Sequence, residues 1–300
     1  MSKKWDTKGD KVFNIVNIFI LSLLLVFIMY PLWFVIIASV SDATDVTLGR
    51  VVFLPKNFTI IGYQKMLEYR EIWIGYRNSV FYTTVGTVNS LFLTMSAGYV
   101  LTRKDLPGRG LITLFLLIPM YFGGGLVPSY LNMRDLGLLN TWFTLLITGA
   151  LSIMFIIMAR TLIQTNIPHE MFEATRVDGC NDFQYFFKFV IPLSKAAIAC
   201  FAVFYAVSYW NEFFSAIIFV SDRNKHPIQV FLRRILLQNS ILNDMVEMWE
   251  NDVDLGKELF MLAEAMKYAI IIVASLPMLV VYPFAQKYFT KGIMMGSLKG

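Results

Sequence analysis

The chain has 300 residues, of which 57% are hydrophobic, 15% aromatic and only 16% charged, and its mean hydropathy is +0.59. Soluble domains carry roughly 25% charged residues, so this balance excludes an ordinary soluble fold and implies an integral membrane protein. The formal net charge of +5 would suggest nucleic acid in a soluble chain, but here the basic residues flank apolar runs, where membrane topology explains them without a nucleic-acid partner.

Taken in chain order, the first ten residues carry Lys3, Lys4 and Lys8 and lead into an uncharged run from Val12 to Ser41. That run is far longer than the roughly 7–15 residues of a signal-peptide core, and no small-residue cleavage site closes it early, so it reads as a retained first span. Further apolar runs follow at 78–102, 110–133, 136–159, 196–221 and 268–286. Each is close to or above the about 20 residues that cross a bilayer. The expected architecture is therefore all-α with six transmembrane helices, the fifth interrupted by Glu212 and the sixth the shortest. Three regions result: residues 1–74 hold an N-terminal segment, the first span and an outer loop, 75–290 the core transmembrane domain, and 291–300 a tail.

Basic residues orient the spans. Lys11, then Arg103, Lys104 and Arg109 between spans two and three, Arg160, Arg176, Lys188 and Lys195 between four and five, and Lys287, Lys291 and Lys299 after the last all fall on one side if both termini are cytoplasmic. The bias is modest, because the long opposite loops, about 42–77 and 222–265, hold basic residues too. The first of these loops has turn residues followed by an amphipathic stretch over Val52–Leu67. The second mixes acids with Met245, Met248, Trp249 and Leu255 between Asn239 and Glu264. Both suit a lid or docking surface, or simple packing on their own helix ends.

Between spans four and five lies EATRVDGCNDFQYFFKFVIPL, residues 173–193, a charged segment between two apolar runs. Pro168 suits a first helical position, Glu170 and Glu173 lie near the positive end of the helix dipole, and Gly179 suits a left-handed stop. These signals predict a helix of about three turns from Pro168 to Asp178. Ala174 and Thr175 allow close backbone approach, while Met171, Phe172 and Val177 give an apolar side, a shape for insertion into another protein's groove.

In span three, Pro119, Gly123, Gly124, Gly125 and Pro128 predict an irregular helix that either lines a pathway or packs closely on a neighbour. In span five, Tyr209, Trp210, Asn211 and Glu212 put polar groups where they mark a pathway or an internal pairing. At about 1.5 Å per residue from Ile191, Glu212 lies roughly 30 Å along, near the outer face. With Tyr121 these four could line such a pathway; the other reading is an aromatic belt plus a gate contact. His169 and His226 have no second ligand nearby in sequence and read as solvated loop residues. Cys180 and Cys200 read as plain thiols, and no metal site is expected. No Gly-rich phosphate loop with Lys-Ser/Thr occurs, so the chain is not expected to hydrolyse ATP or to bind a cofactor of its own.

Residues 173–193 are similar to the cytoplasmic signature of binding-protein-dependent ABC importer permeases. There Glu-Ala-Ala is followed three residues later by Gly and nine residues after that by an apolar-x-apolar-Pro step. Glu173, Ala174, Thr175, Asp178, Gly179 and Pro192 fit that spacing, with Thr175 replacing an Ala, Cys180 an Ala and Phe189 an Ile. The tail from Gly292 through Gly296 to Lys299 and Gly300 resembles that of the maltose-type sugar permeases. Residues 118–130, 136–140 and Tyr282-Pro283-Phe284 resemble the branch associated with complex oligosaccharides. Together the likenesses cover most of residues 75–300.

The resemblance implies the type I importer permease (MetI-like) fold in a bacterial cell membrane. It implies a heterodimer with a second permease on two ATPase subunits that bind ATP and Mg, cargo delivered by an extracytoplasmic solute-binding protein, and oligosaccharide uptake by alternating access. It also implies that residues about 168–180 form the coupling helix. Glu173 would contact a basic residue of the ATPase, Ala174 and Thr175 would pack closely, and Gly179 would set the turn; the plainer alternative pairs Glu173 with Arg176 on a solvated helix. Gly292, Gly296 and Lys299 would lie along the ATPase dimer. A same-fold importer for a non-sugar solute is the main alternative. A secondary transporter would need several ionisable residues at mid-membrane, and beyond Glu212 there are almost none.

Overall fold

The computed structural model describes the backbone of residues 8–246 and 253–297. Among the described residues it is helical, with no strand. In chain order the helices are α1 (Lys8–Ser39), α2 (Ala43–Thr47), α3 (Ile61–Glu68), α4 (Arg70–Val100), α5 (Arg109–Tyr121), α6 (Leu126–Asp135), α7 (Trp142–Thr148) and α8 (Ile153–Asn166). They continue with α9 (His169–Val177), α10 (Asp182–Tyr185), α11 (Ile191–Leu193), α12 (Lys195–Trp210), α13 (Phe214–Phe219), α14 (Ile228–Val246) and α15 (Val253–Ser297). Residues group into two compact units, 1–68 with 234–274, and 69–233 with 275–300. The boundary expected near residue 74 falls inside α4.

In the first unit, α1 is one 32-residue helix whose side chains from Gly9 to Trp33 are all exposed. An apolar surface of that extent suits lipid or another membrane subunit. Its last turn is buried: Ile37 and Ala38 join Val46 and Val51 in a small core, and Phe34 meets Tyr268 edge-on at 6.0 Å. The stretch after α1 is ordered by its own polar groups. Asp42 caps α2 by accepting from Thr44 N at 2.9 Å, and the buried Asp45 carboxylate takes Asn57 Nδ2 at 2.6 Å and Arg50 Nη1 at 3.3 Å.

In the second unit α4 is the spine, packed along α12 and α8. It begins eight residues before the expected start of span two, because that start was set by Arg77, a charge that ends the apolar run but not the helix. Asn78, Ser79, Ser90 and Thr94 are fully buried on it. Protein neighbours satisfy them: Thr94 shares a 2.6 Å hydrogen bond with the Tyr205 hydroxyl, Ser90 one of 3.1 Å with Tyr209, and Asn78 Nδ2 donates to the Asn224 and His226 carbonyls. A helix so enclosed can be less apolar than one facing lipid.

By length and composition two helices can cross a bilayer, Gly9–Ser39 and Phe260–Pro283, and three bent pairs would add one span each. The 31-residue α4 is long enough to cross as well, but its buried polar residues leave it less apolar than these, so five spans are counted by length and composition. Two of the bent pairs fall within expected spans, and the third joins α10–α11 to α12. Span three breaks between α5 and α6, which meet at 119° around the Gly123–Gly125 run, and span four divides into α7 and α8 at 55°. Span five breaks at residues 211–213, around Glu212 where an interruption was expected, and α13 follows.

Three further expectations are corrected. The sixth span is the longest helix, not the shortest: α15 runs for 45 residues through Pro277 and Pro283, since Lys267 and Lys287 bound the apolar run without stopping the helix. The segment expected as a loop at 222–265 is mostly helical, in α14 and the start of α15, with residues 247–252 outside the described residues. His226 is not solvated either. It is half-buried, with Nε2 2.8 Å from the Val220 carbonyl.

The connections sort to the two ends of α4. The turn after α4 and the segment holding α9 share one end, where Arg103 meets Phe172. The turn before α7 and the segment after α13 share the other, where Asn140 accepts from Asp222 N at 2.9 Å and Tyr82 donates to the Lys225 carbonyl at 3.0 Å. Alternating spans require this arrangement.

Candidate functional site

The charged segment between spans four and five builds a short helix held on one face and free on the other. Ile167 is buried and extended, and Pro168 follows at the N-cap with ψ 145°, so α9 starts at His169, one residue later than expected. Its C-terminus closes by a double turn: Gly179 N donates to Arg176 O at 3.0 Å and Cys180 N to Thr175 O at 3.0 Å. Gly179 has φ +80°, a left-handed conformation that glycine adopts without penalty. This glycine is the reason the helix stops and the chain turns toward α10.

Met171, Phe172 and Cys180 pack against a core that includes Tyr99, Ile163, Ile167 and Tyr185. Thr175 is buried with them, its hydroxyl donating to the Phe172 carbonyl at 2.9 Å. A threonine satisfied within its own helix fits where a smaller alanine would also pack. Val177, expected on the apolar side with Met171 and Phe172, is instead 88% exposed. The reason is helical phase: Glu170, Glu173, Ala174 and Val177 form an exposed i, i+3, i+4, i+7 stripe opposite the buried face. Among the described residues Glu173 has no ion pair, and Arg176 lies 3.8 Å from Asp182 rather than pairing with Glu173.

Arg103 fixes the buried face. Its guanidinium carbon stands 3.8 Å from the centre of the Phe172 ring, while Nε and Nη2 fork onto Asp105 at 2.9 and 2.7 Å. Burial alone would lower the Arg103 pKa, but the Asp105 bond, Tyr99 and Asp182 outweigh it, so the pKa rises above its ordinary value. The same hydrogen bond holds the Asp105 carboxyl below its ordinary range. Beside this contact a half-open cavity of about 890 Å³ lies between the turn after α4 and α9, lined by Arg103, Lys104, Arg109, His169, Glu173 and Arg176 among others.

Beyond α10 the backbone widens into a π turn, Phe186–Val190, before α11. Pro192 has no N–H to donate to the preceding turn, which favours the wider register there. α10–α11 then meets α12 at 81°, so Pro192 stands just before the bend that redirects the chain into the fifth span.

The pathway candidates separate. Tyr209 and Trp210 are buried. The Tyr209 hydroxyl donates to the Leu146 carbonyl at 3.0 Å, and its ring lies so close to Gly86 that a Cβ there would sit 2.5 Å from it. Trp210 meets Tyr76 edge-on at 5.6 Å. Asn211 is exposed with its amide on the Val207 carbonyl, and half-buried Glu212 accepts from Ser215 N at 2.8 Å, capping α13. Tyr121 is 73% exposed at the end of α5. In the tail, Gly292 and Gly296 belong to the backbone of α15, and Lys299 lies outside the described residues.

Sequence reasoning missed Arg103, Phe172 and Asp182 as one contact set. The available signal was a basic residue directly after a span, which was read only as an orientation marker.

The family described as binding-protein-dependent transport system inner membrane component matches residues 4–295. The chain is 38% identical over 271 residues to the polygalacturonan/rhamnogalacturonan transport system permease protein YtcP of Bacillus subtilis (strain 168), covering 90% of this chain and 92% of that one. It is 34% identical over 295 residues to Protein LplC of the same organism, covering 98% and 97%. Among solved structures, a bacterial ABC transporter involved in the import of the acidic polysaccharide alginate superposes with a TM-score of 0.85 at 33% identity, over 96% of this chain and 100% of that chain.

Proposed function

The chain belongs to the family of binding-protein-dependent transport system inner membrane components, and on that premise we propose that it is the permease subunit through which a separate ATPase drives oligosaccharide uptake. The observation that carries the reading is α9, anchored by Met171, Phe172 and Thr175 while Glu170, Glu173, Ala174 and Val177 stay exposed. A short helix fixed on one side and bare on the other can sit in a partner's groove and pass on its movement. The chain would pair with a second permease on two ATPase subunits, with both termini cytoplasmic, and receive cargo from a solute-binding protein outside. ATP and Mg would bind the ATPases, since the sequence has no Gly-rich phosphate loop. ATP-driven closure, felt through α9 and the tail at Gly292, Gly296 and Lys299, would rock the spans between two states of access.

Relatives named for polygalacturonan and for alginate, both carboxylate-bearing polymers, favour an acidic oligosaccharide as cargo. Tyr121, Tyr209, Trp210, Asn211 and Glu212 are the residues proposed along its path. For Tyr209 and Trp210 that role needs a state in which they leave the enclosed positions described above. The test is uptake into proteoliposomes holding the complete importer with its binding protein, comparing oligogalacturonides, alginate oligomers and neutral maltodextrins. ATP-dependent uptake of an acidic oligomer is expected. Uptake of none of these glycans would refute the cargo reading, and normal stimulation of hydrolysis after Glu173→Lys would refute the role of α9.

A further inference from the structure

We propose that Arg103 is a positioning residue that fastens the coupling helix to α4, so that three spans move with α9 as one body. The proposal rests on α9 being the coupling helix. By chain connectivity alone α9 reaches only α8, through Ile167 and Pro168, and α12, through α10 and α11. The spine helix α4 ends at Val100 on the same side but has no covalent link to α9.

Arg103 supplies a non-covalent tie between them. Its side chain is only 13% exposed, and each part of it is engaged. The guanidinium plane covers Phe172 of α9 at 3.8 Å, and Nη1 stands 3.2 Å from Asp182 Oδ1 at the first position of α10, an ion-pair approach without hydrogen-bond alignment. Nε and Nη2 fork onto Asp105, which holds the head group in place. Arg176 of α9 adds a second, looser contact, 5.4 Å from the Phe172 ring and 3.8 Å from Asp182.

Under the ring the contact continues into packed aromatics: Phe172 meets Tyr185 edge-on at 5.1 Å, and Tyr185 and Phe186 lie 6.1 and 5.5 Å from Tyr99 of α4. A push on α9 therefore has a stiff route into α4 as well as into its two covalent neighbours. A stacked fork is a task for arginine. Lysine keeps one charge but cannot cover a ring and grip a carboxylate with two N–H groups at once.

The experiment uses the complete reconstituted importer and measures basal ATP hydrolysis, binding-protein-stimulated hydrolysis and cargo imported per ATP. Arg103→Ala is expected to assemble and keep basal hydrolysis while stimulation and cargo per ATP each fall about tenfold. Phe172→Leu should show the same pattern, the double variant should be no worse than either single one, and Arg103→Lys should recover only part of the loss. Wild-type cargo per ATP in Arg103→Ala, additive losses in the double variant, or full rescue by Lys would overturn the proposal. Should Arg103→Ala fail to assemble, Phe172→Leu, which keeps every charge, decides the matter alone. Gly179→Pro serves as the control: if it too behaves as wild type, the coupling-helix reading itself has failed.

Discussion

Replacing Gly179 by residues that resist positive φ isolates backbone conformation from packing at the end of α9. The site suits such a series because φ is +80° and a Cβ built there meets nothing within 4 Å, so a side chain adds conformational strain and no clash. A left-handed residue other than glycine costs about 1–2 kcal/mol, roughly a 5- to 30-fold shift against the native turn. Asn tolerates this region better than most residues, and a β-branched side chain tolerates it least. Binding-protein-stimulated ATP hydrolysis should therefore fall in the order Gly, Asn, Ala, Val in the reconstituted importer, with Ala roughly 5-fold down or more and assembly unchanged. Equal activity of Gly179→Val and wild type would refute the reasoning. So would a loss in Gly179→Asn as deep as in Gly179→Val, because backbone strain ranks the two apart.

Tyr209→Phe removes a hydroxyl that bonds the Leu146 carbonyl and Ser90; thermal unfolding of the detergent-solubilised complex should show a loss of about 1–2 kcal/mol, and an unchanged midpoint would count against that hydroxyl as a structural tie. Acid should loosen the turn after α4. Asp105 ionises below its ordinary value of 3.8 when folded, so its support for Arg103 is complete above that pH and fades as pH falls through the lower folded value. Limited proteolysis at residues 103–109 should accelerate below about pH 3.8 in wild type, and the acid-dependent part should vanish in Asp105→Asn.

Much of α9 was legible in the sequence because its signals are local. Pro168, the early acids and Gly179 bracket the helix to within a residue at each end, as capping rules allow. Its orientation was not legible, since Val177 and Phe172 are equally apolar and only the neighbouring core decides which is buried. The first span was readable for the same local reason, being one long uncharged run. The spine helix was harder to see. Its Asn78, Ser79, Ser90 and Thr94 look like defects in a lipid-facing helix and make sense only once Tyr205, Tyr209 and the segment at 224–228 are brought beside them. Charges misled in both directions: Lys267 and Lys287 seemed to end a helix that runs on, whereas the uncharged stretch around Gly149 conceals a bend.

The buried polar face of α4 also bears on how the protein is made. Its partners lie 111 to 149 residues further along the chain, and at about 5–20 residues per second the ribosome needs roughly 5–30 s to deliver them. Throughout that interval Asn78, Ser79, Ser90 and Thr94 face either the insertion machinery or a bilayer that cannot satisfy them. Nascent chains truncated before α12 should therefore leave α4 poorly integrated and open to quality-control proteases, and integration should become secure only when the fifth span and the segment at 224–228 have emerged.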